Sequence, residues 1–392
     1  MPARRDWLVL ALLVGARALF AMQFQSVGAL GPVLVGGLVA DFAALGALIG
    51  AYQVAGCVVS LPGGALAARL GDRRILYAGL GLMAVGGVIL AAAPGATVAL
   101  GGRVVSGTGG ILLNLILVKL VMDRFAGVSL PLALGWILAA WPAGIALALL
   151  LLPLLAEGLG WRGAMALLAA MAALLLLAVP AIQAGGPAPV AASSARPPNW
   201  PALLAIATGW MAFNAALILL LSFAPAMFTA QDVPPAEAGR LASLASWVAT
   251  VTVVLGGWVA ARVGRPILLP VLCIGVGALC CQLVAVLPSG PANTLALIGF
   301  GLFGGLAGAP LFALAAQVLP PAARVFGMGA FYTVYYLGVT FLPPLAGWAR
   351  DITADPAAPI QVATACCGLA IVSLLAFAWL RSRPASEQPA PP

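Results

Sequence analysis

The chain has no histidine, one lysine (Lys119) among its 18 basic residues, and charged side chains of both signs at only 7% of its 392 positions. The absence of histidine removes the one side chain that titrates near neutrality without help, and with it the commonest proton relay and metal ligand. Six cysteines are present, at Cys57, Cys273, Cys280, Cys281, Cys366 and Cys367. All lie inside apolar runs and none forms a Cys-x-x-Cys pair, so they read as packing residues rather than zinc ligands. No Gly-x-x-x-x-Gly-Lys-Ser/Thr stretch occurs, which leaves ATP-driven work without a phosphate cradle. No nucleophile, base and orienting group can be assembled, so neither an enzyme nor a bound metal or cofactor is expected.

What the chain does contain is apolar. Hydrophobic residues make up 64% of it, and its mean hydropathy is +1.14, whereas a soluble domain runs at about 45–50% apolar and about 25% charged. This is the composition of a polytopic membrane protein with the lipid bilayer as its solvent. The net charge of +8 does not point to nucleic acid, because the basic residues sit in short loops between apolar runs, where they orient helices.

Stretches of about 20 apolar residues place twelve spanning helices near 7–30, 44–67, 75–93, 97–121, 131–154, 162–182, 200–224, 239–261, 267–287, 292–318, 326–348 and 359–380. The first starts behind Arg4 and Arg5 and runs on past Gly28 without a small-residue cleavage site, so it reads as a retained helix. With that end inside, thirteen basic residues face the cytoplasm: Arg4, Arg5, Arg69, Arg73, Arg74, Lys119, Arg124, Arg196, Arg262, Arg265, Arg324, Arg381 and Arg383. Only Arg162, Arg240 and Arg350 fall outside. The asymmetry predicts cytoplasmic termini. A Gly-, Pro- and Ser-rich segment at 183–199 reads as a linker between a first half, 1–182, and a second, 200–381. The Pro-rich 382–392 reads as a disordered tail.

The halves share a motif. Gly63-Gly64-Ala65-Leu66-Ala67-Ala68-Arg69-Leu70-Gly71-Asp72-Arg73 is echoed by Gly256-Gly257-Trp258-Val259-Ala260-Ala261-Arg262-Val263-Gly264-Arg265, and 256 minus 63 is 193 residues, close to half the chain. An internal repeat at half-length in an apolar chain is the pattern of transporters that expose one midplane site to each side in turn.

On these residues the chain resembles the major facilitator superfamily over essentially its whole length. The family's loop between helices two and three runs Gly-x-Leu-Ala-Asp-Arg-x-Gly-Arg-Arg, and the matching positions here are Gly64, Arg69, Gly71, Asp72, Arg73 and Arg74, with Arg262, Gly264 and Arg265 in the second copy. The family's acidic position holds Ala68 instead, a departure, since the resemblance implies an acid there that pairs with basic residues to latch one state. Arg103, Gly107, Gly109 and Gly110 are similar to the helix-four signature, and Trp161-Arg162 and Gly347-Trp348-Ala349-Arg350-Asp351 are similar to further family positions. The resemblance implies an all-α integral membrane fold of two pseudo-symmetric six-helix bundles. Gly15-Ala16-Arg17, Ser26-Val27-Gly28 and Trp141-Pro142-Ala143-Gly144-Ile145-Ala146 look like the branch of small-anion permeases that includes cyanate and nitrate/nitrite carriers.

Two arginines lie within expected spans. Arg17 is about eleven residues into the first helix, on the order of 16 Å deep in a hydrocarbon core about 30 Å thick. A charge there costs a few kcal/mol and is tolerated when it faces a cavity or caps neighbouring carbonyls. Arg103 shares a helix stripe with Gly107, Gly110 and Asn114, at i+4, i+7 and i+11, and is equally compatible with an interhelical network and with substrate contact. Tyr332, Tyr335 and Tyr336 put three phenols on one face of helix eleven. Gln25, Tyr52, Gln53, Trp141, Trp210 and Asn214 complete the candidate substrate contacts. All ten acidic residues are assigned to loops or termini, so the buried carboxylate relay of many transporters has no members. Uniport, exchange and carriage of a proton on the substrate remain open. The expected protein is a monomeric permease of the bacterial inner membrane for a small anionic solute; the alternatives are an exporter of hydrophobic compounds and a non-transporting membrane sensor.

Overall fold

The structure, a computed structural model, describes residues 4–125, 129–182, 199–320 and 323–382. The linker and tail expected at 183–199 and 382–392, with Arg196 and Arg383, lie outside the described residues apart from Asn199 and Ser382. The chain winds through α1 (Arg4–Ala29), α2 (Gly31–Leu34), α3 (Phe42–Ala51), α4 (Val54–Val59), α5 (Gly63–Leu70), α6 (Asp72–Ala91) and α7 (Ala96–Met122). It continues through α8 (Ser129–Ala178), α9 (Trp200–Thr229), α10 (Pro235–Val263), α11 (Leu268–Val286), α12 (Pro291–Ala316), α13 (Arg324–Thr353) and α14 (Ala358–Ser382). Among the described residues the only β pairing is a single bridge, Val35 with Val39. All-helical architecture follows from the medium: hydrocarbon offers no partner to an unpaired peptide group, and a helix satisfies its own.

Nine of the described helices are long and apolar enough to cross a membrane, against twelve spans expected from the sequence, and three places account for the difference. The long α8 holds two expected spans, broken at Gly160, where φ is 66° and ψ 165°. The span expected at 44–67 is three short helices, interrupted at Tyr52-Gln53 and again before Gly63. A proline at 62 has no N–H to continue a helix. The third is α13, which is 30 residues long; its three tyrosines, three threonines and Pro343-Pro344 lower its hydropathy.

The repeat organises the helices. Moved on by 193 residues, Phe42 at the start of α3 lands on Pro235, the start of α10, and Ala96, Asp72 and Ser129 fall within three residues of the starts of α12, α11 and α13. The repeated glycines have a backbone reason. Gly71 and Gly264, 193 apart, hold φ of 77° and 65°, a region that costs other L-residues about 1–2 kcal/mol. Each ends one helix and turns the chain toward the next.

Three seams join the halves: α3 and α4 against α13, α8 against α10, and α1 against α9. The first two are equivalent under the repeat, since α3 corresponds to α10 and the first arm of α8 to α13. Their closeness depends on glycine. Gly50 lies on the carbonyl of Thr340 and Gly347 on that of Phe42, so that a Cβ at either would overlap backbone; small residues allow such approach between membrane helices. The Thr340 carbonyl is released from its own helix because Pro344, four residues on, has no N–H. In the other seams, Ser246 Oγ donates to the Pro142 carbonyl at 2.7 Å, and Gln25 Nε2 donates to the Leu221 carbonyl at 3.0 Å.

At one end of the α3–α13 seam, Asp351 of α13 caps a helix of the other half. Its carboxylate accepts from the Phe42 N–H at 3.1 Å and the Ala43 N–H at 2.8 Å, while Asp41 accepts from the Ala44 N–H at 2.8 Å. Arg350 lies over the Phe42 ring, 3.5 Å from its centroid. Carboxylates at a helix N-terminus satisfy otherwise unpaired donors and the positive end of the dipole, typically for about 1 kcal/mol. Further along the seam Cys57 Sγ is 3.8 Å from Thr340 Oγ1, so its thiol reports opening. With the other five cysteines changed to alanine, Asp351→Ala should raise the rate of Cys57 alkylation several-fold over the parent. An unchanged rate would show that the cap does not hold the seam.

Candidate substrate site

Arg17 projects from the middle of α1 and is half-buried. Its Nη1 donates to Asn114 Oδ1 of α7 at 2.8 Å, whereas its buried Nε has no hydrogen-bond partner. Tyr332, Tyr336 and Tyr335 of α13 lie close enough to interact electrostatically with the guanidinium, and Asn114 also lies near Tyr336. Five expected site residues therefore converge on one place, and they come from both halves. The phenol rings pack together, Tyr335 and Tyr336 with centroids 4.8 Å apart and Tyr332 within 6.2 and 6.3 Å of the other two. Arg17 has no ion-pair partner among the described residues; the two ion pairs described, Lys119–Asp72 and Arg240–Glu237, each lie within one half.

Arg103, expected among the substrate contacts, is placed elsewhere. It is 1% exposed. Its Nε donates to the Leu48 carbonyl at 2.9 Å, Nη1 to that of Gln23 at 2.5 Å and Nη2 to that of Phe24 at 2.9 Å, and the guanidinium covers the Tyr52 ring at 4.3 Å. Saturated by carbonyls of α1 and α3, it ties three helices of the first half together. The break of α3 near Tyr52 supplies the Leu48 carbonyl. Tyr52 is buried beneath it, its hydroxyl 3.4 Å from both the Phe20 carbonyl and Gln23 Oε1, and so is likewise a packing residue rather than one open to a solute.

The other candidates divide. Gln25 and Gln53 are each 1% exposed with an unpartnered Oε1; Gln25 bridges the halves. Asn214 turns back along its own helix, donating to the Trp210 carbonyl at 2.8 Å. Trp141, half-buried, packs on Phe20 and Phe24 at 4.8 and 5.7 Å. Trp210 packs on Phe312 and Phe331 at 5.2 and 6.2 Å. Of the repeated turn, Asp72 is 2% exposed and pairs with Lys119 at 2.7 Å, a bond inside the first half and not a latch between halves. Arg69, Arg73, Arg74 and Arg265 are exposed, Arg73 lying 5.8 Å from the Tyr77 ring and Arg262 3.4 Å from the Trp258 ring.

Sequence reasoning missed Gln23, Asp351 and the aromatic residues Phe312 and Phe331. Gln23 is buried and donates to the carbonyls of Met83 at 3.2 Å and Leu168 at 3.5 Å. A glutamine two places from Gln25 in an apolar helix was the available signal. Asp351 was read as part of the motif that closes helix eleven, and nothing in a phenylalanine marks which helix it will face. Two small cavities, each with room for about one water molecule, lie inside the halves, the first at Gln23 and Arg103, the second among the counterpart helices α9, α11, α12 and α14.

An all-helical bundle that crosses the membrane many times, with a buried cation where its halves meet, is the build of a membrane transporter. The family model described as Major Facilitator Superfamily matches residues 13–343 and 204–392, well over half the chain, and the protein belongs to that superfamily. No curated protein matches it.

The two arginines should separate under mutation. Arg103→Gln leaves at least one buried carbonyl without a donor, at about 1–3 kcal/mol, and should lower the thermal unfolding midpoint in detergent markedly. Arg17→Gln, which strands less, should shift it little. Equal shifts would contradict the assignment of Arg103 to packing.

Proposed function

We propose that this transporter carries a small anion held by Arg17, with Asn114 and the phenols of Tyr332, Tyr335 and Tyr336 as neutral hydrogen-bonding partners. The observation that carries the proposal is the half-buried guanidinium, with an unpartnered Nε and no carboxylate in ion-pair reach among the described residues. A guanidinium presents a planar fork to carboxylate-like or oxyanion ligands, and an anion offsets the cost of holding the charge at membrane depth. Residues 1–182 and 200–381 act as two bodies that rock about the α3–α13, α8–α10 and α1–α9 seams, exposing Arg17 to each side in turn. The excess of basic residues on one set of loops favours an inner-membrane orientation with both termini cytoplasmic.

The same electrostatics sets the transport mode. An empty carrier would take a bare guanidinium through the closed state, whereas a loaded one takes a neutralised pair, so exchange of one anion for another is faster than net flux. The aromatic residues around Trp210 would suit an exporter of hydrophobic compounds, but that reading gives the unpaired cation no role.

Reconstituted into liposomes, the protein should show saturable anion uptake that internal anion accelerates severalfold or more. Arg17→Ala should abolish uptake while the protein remains folded; Arg17→Lys, which keeps the charge but loses the fork, should retain part of it with weaker affinity. Full uptake by Arg17→Ala would end the proposal. Uptake unaffected by internal anion would end the exchange mechanism alone.

A further inference from the structure

Trp210 occupies on α9 the place that Arg17 occupies on α1, since the two are 193 residues apart, the spacing of the repeated turn. The register is marked one turn further on by Phe20 and Phe213, also 193 apart. Under the relation that pairs the halves, these side chains are directed from equivalent positions, one a cation and the other the largest aromatic ring. Trp210 begins a continuous line of rings. Its centroid is 5.2 Å from Phe312 of α12 and 6.2 Å from Phe331 of α13; Phe331 and Phe312 lie 5.6 and 6.3 Å from Tyr332. Tyr332 lies within electrostatic range of Arg17, so the line leads toward the guanidinium. Trp210, Phe312 and Tyr332 are all half-buried at the meeting of three helices of one half, α9, α12 and α13. Each of the three rings keeps part of its surface uncovered.

We infer that the substrate is a planar aromatic carboxylate, its carboxylate on the Arg17 fork and its ring against Trp210 and Tyr332. The inference rests on the anion reading of Arg17 and narrows it. A bare inorganic anion would use the arginine and leave the aromatic wall idle. A neutral hydrophobic solute would use the wall and leave the cation uncompensated. Only a ligand with both a flat apolar body and an adjacent anionic group engages both, and aromatic pairs in offset or edge geometry add about 0.5–1.5 kcal/mol beyond area burial.

The test is binding of benzoate, acetate, nitrate and benzyl alcohol to the full-length protein in detergent, by calorimetry. Benzoate should bind at least tenfold more tightly than acetate or nitrate, and benzyl alcohol should not bind measurably. Trp210→Ala should reduce the benzoate advantage to near unity while leaving acetate affinity unchanged. Phe312→Leu, which keeps apolar volume but removes a ring, should reduce it in part and serves if Trp210→Ala does not fold. Arg17→Ala should abolish binding of all three anions. Acetate or nitrate bound as tightly as benzoate, or an equal loss of acetate and benzoate affinity in the ring variants, overturns the aromatic inference and leaves the anion site standing. Benzyl alcohol bound as well as benzoate, with Arg17→Ala indifferent, overturns the anion reading itself, and binding of none of the four overturns both.

Discussion

An interior without water requires every buried polar group to find its partner within the protein, and the two arginines embedded in this chain meet that requirement in opposite ways. Arg103 spends its donors on three backbone carbonyls of α1 and α3 and becomes part of the frame. Arg17 is given a single neutral acceptor, Asn114 Oδ1, and keeps an unpartnered Nε. The first arrangement is closed; the second leaves a donor unpaired. The frame that Arg103 braces is the one that presents Arg17, because both act on α1, one by holding the carbonyls of Gln23 and Phe24 and the other by projecting from the preceding turns.

The halves meet through backbone rather than through charge. Glycine places the Thr340 carbonyl on Gly50 and the Phe42 carbonyl on Gly347, Pro344 frees the Thr340 carbonyl from its own helix, and Ser246 of one half donates to the Pro142 carbonyl of the other. Seams of this kind gain from dispersion and from a few hydrogen bonds, without a hydrophobic driving force between helices in lipid. The ion pairs described do not cross the seams, and the carboxylate that does, Asp351, binds peptide N–H groups instead of a cation. The turn that resembles the superfamily's latch but carries Ala68 at the acidic position is consistent with this division: its nearest acid, Asp72, is already engaged by Lys119.

The sequence by itself determined the medium, the all-helical class and the repeat. Composition fixes the first, hydrocarbon's intolerance of unpaired peptide groups fixes the second, and the glycines at 71 and 264 mark the third because only glycine is at ease at their positive φ. It also pointed to Arg17 and to the three tyrosines, since a charge or a cluster of phenols inside an apolar run stands out at any register. Tertiary structure alone decided which arginine is open. Arg17 and Arg103 look alike along the chain, but their difference lies in carbonyls supplied by residues 55 to 80 positions away, exposed to Arg103 by the break in α3 and the packing of α1. The same holds for the aromatic line from Trp210 to Tyr332 and for the Asp351 cap, 309 residues from Phe42. Such pairings depend on how helices distant in sequence come to lie together, and local periodicity carries no record of that.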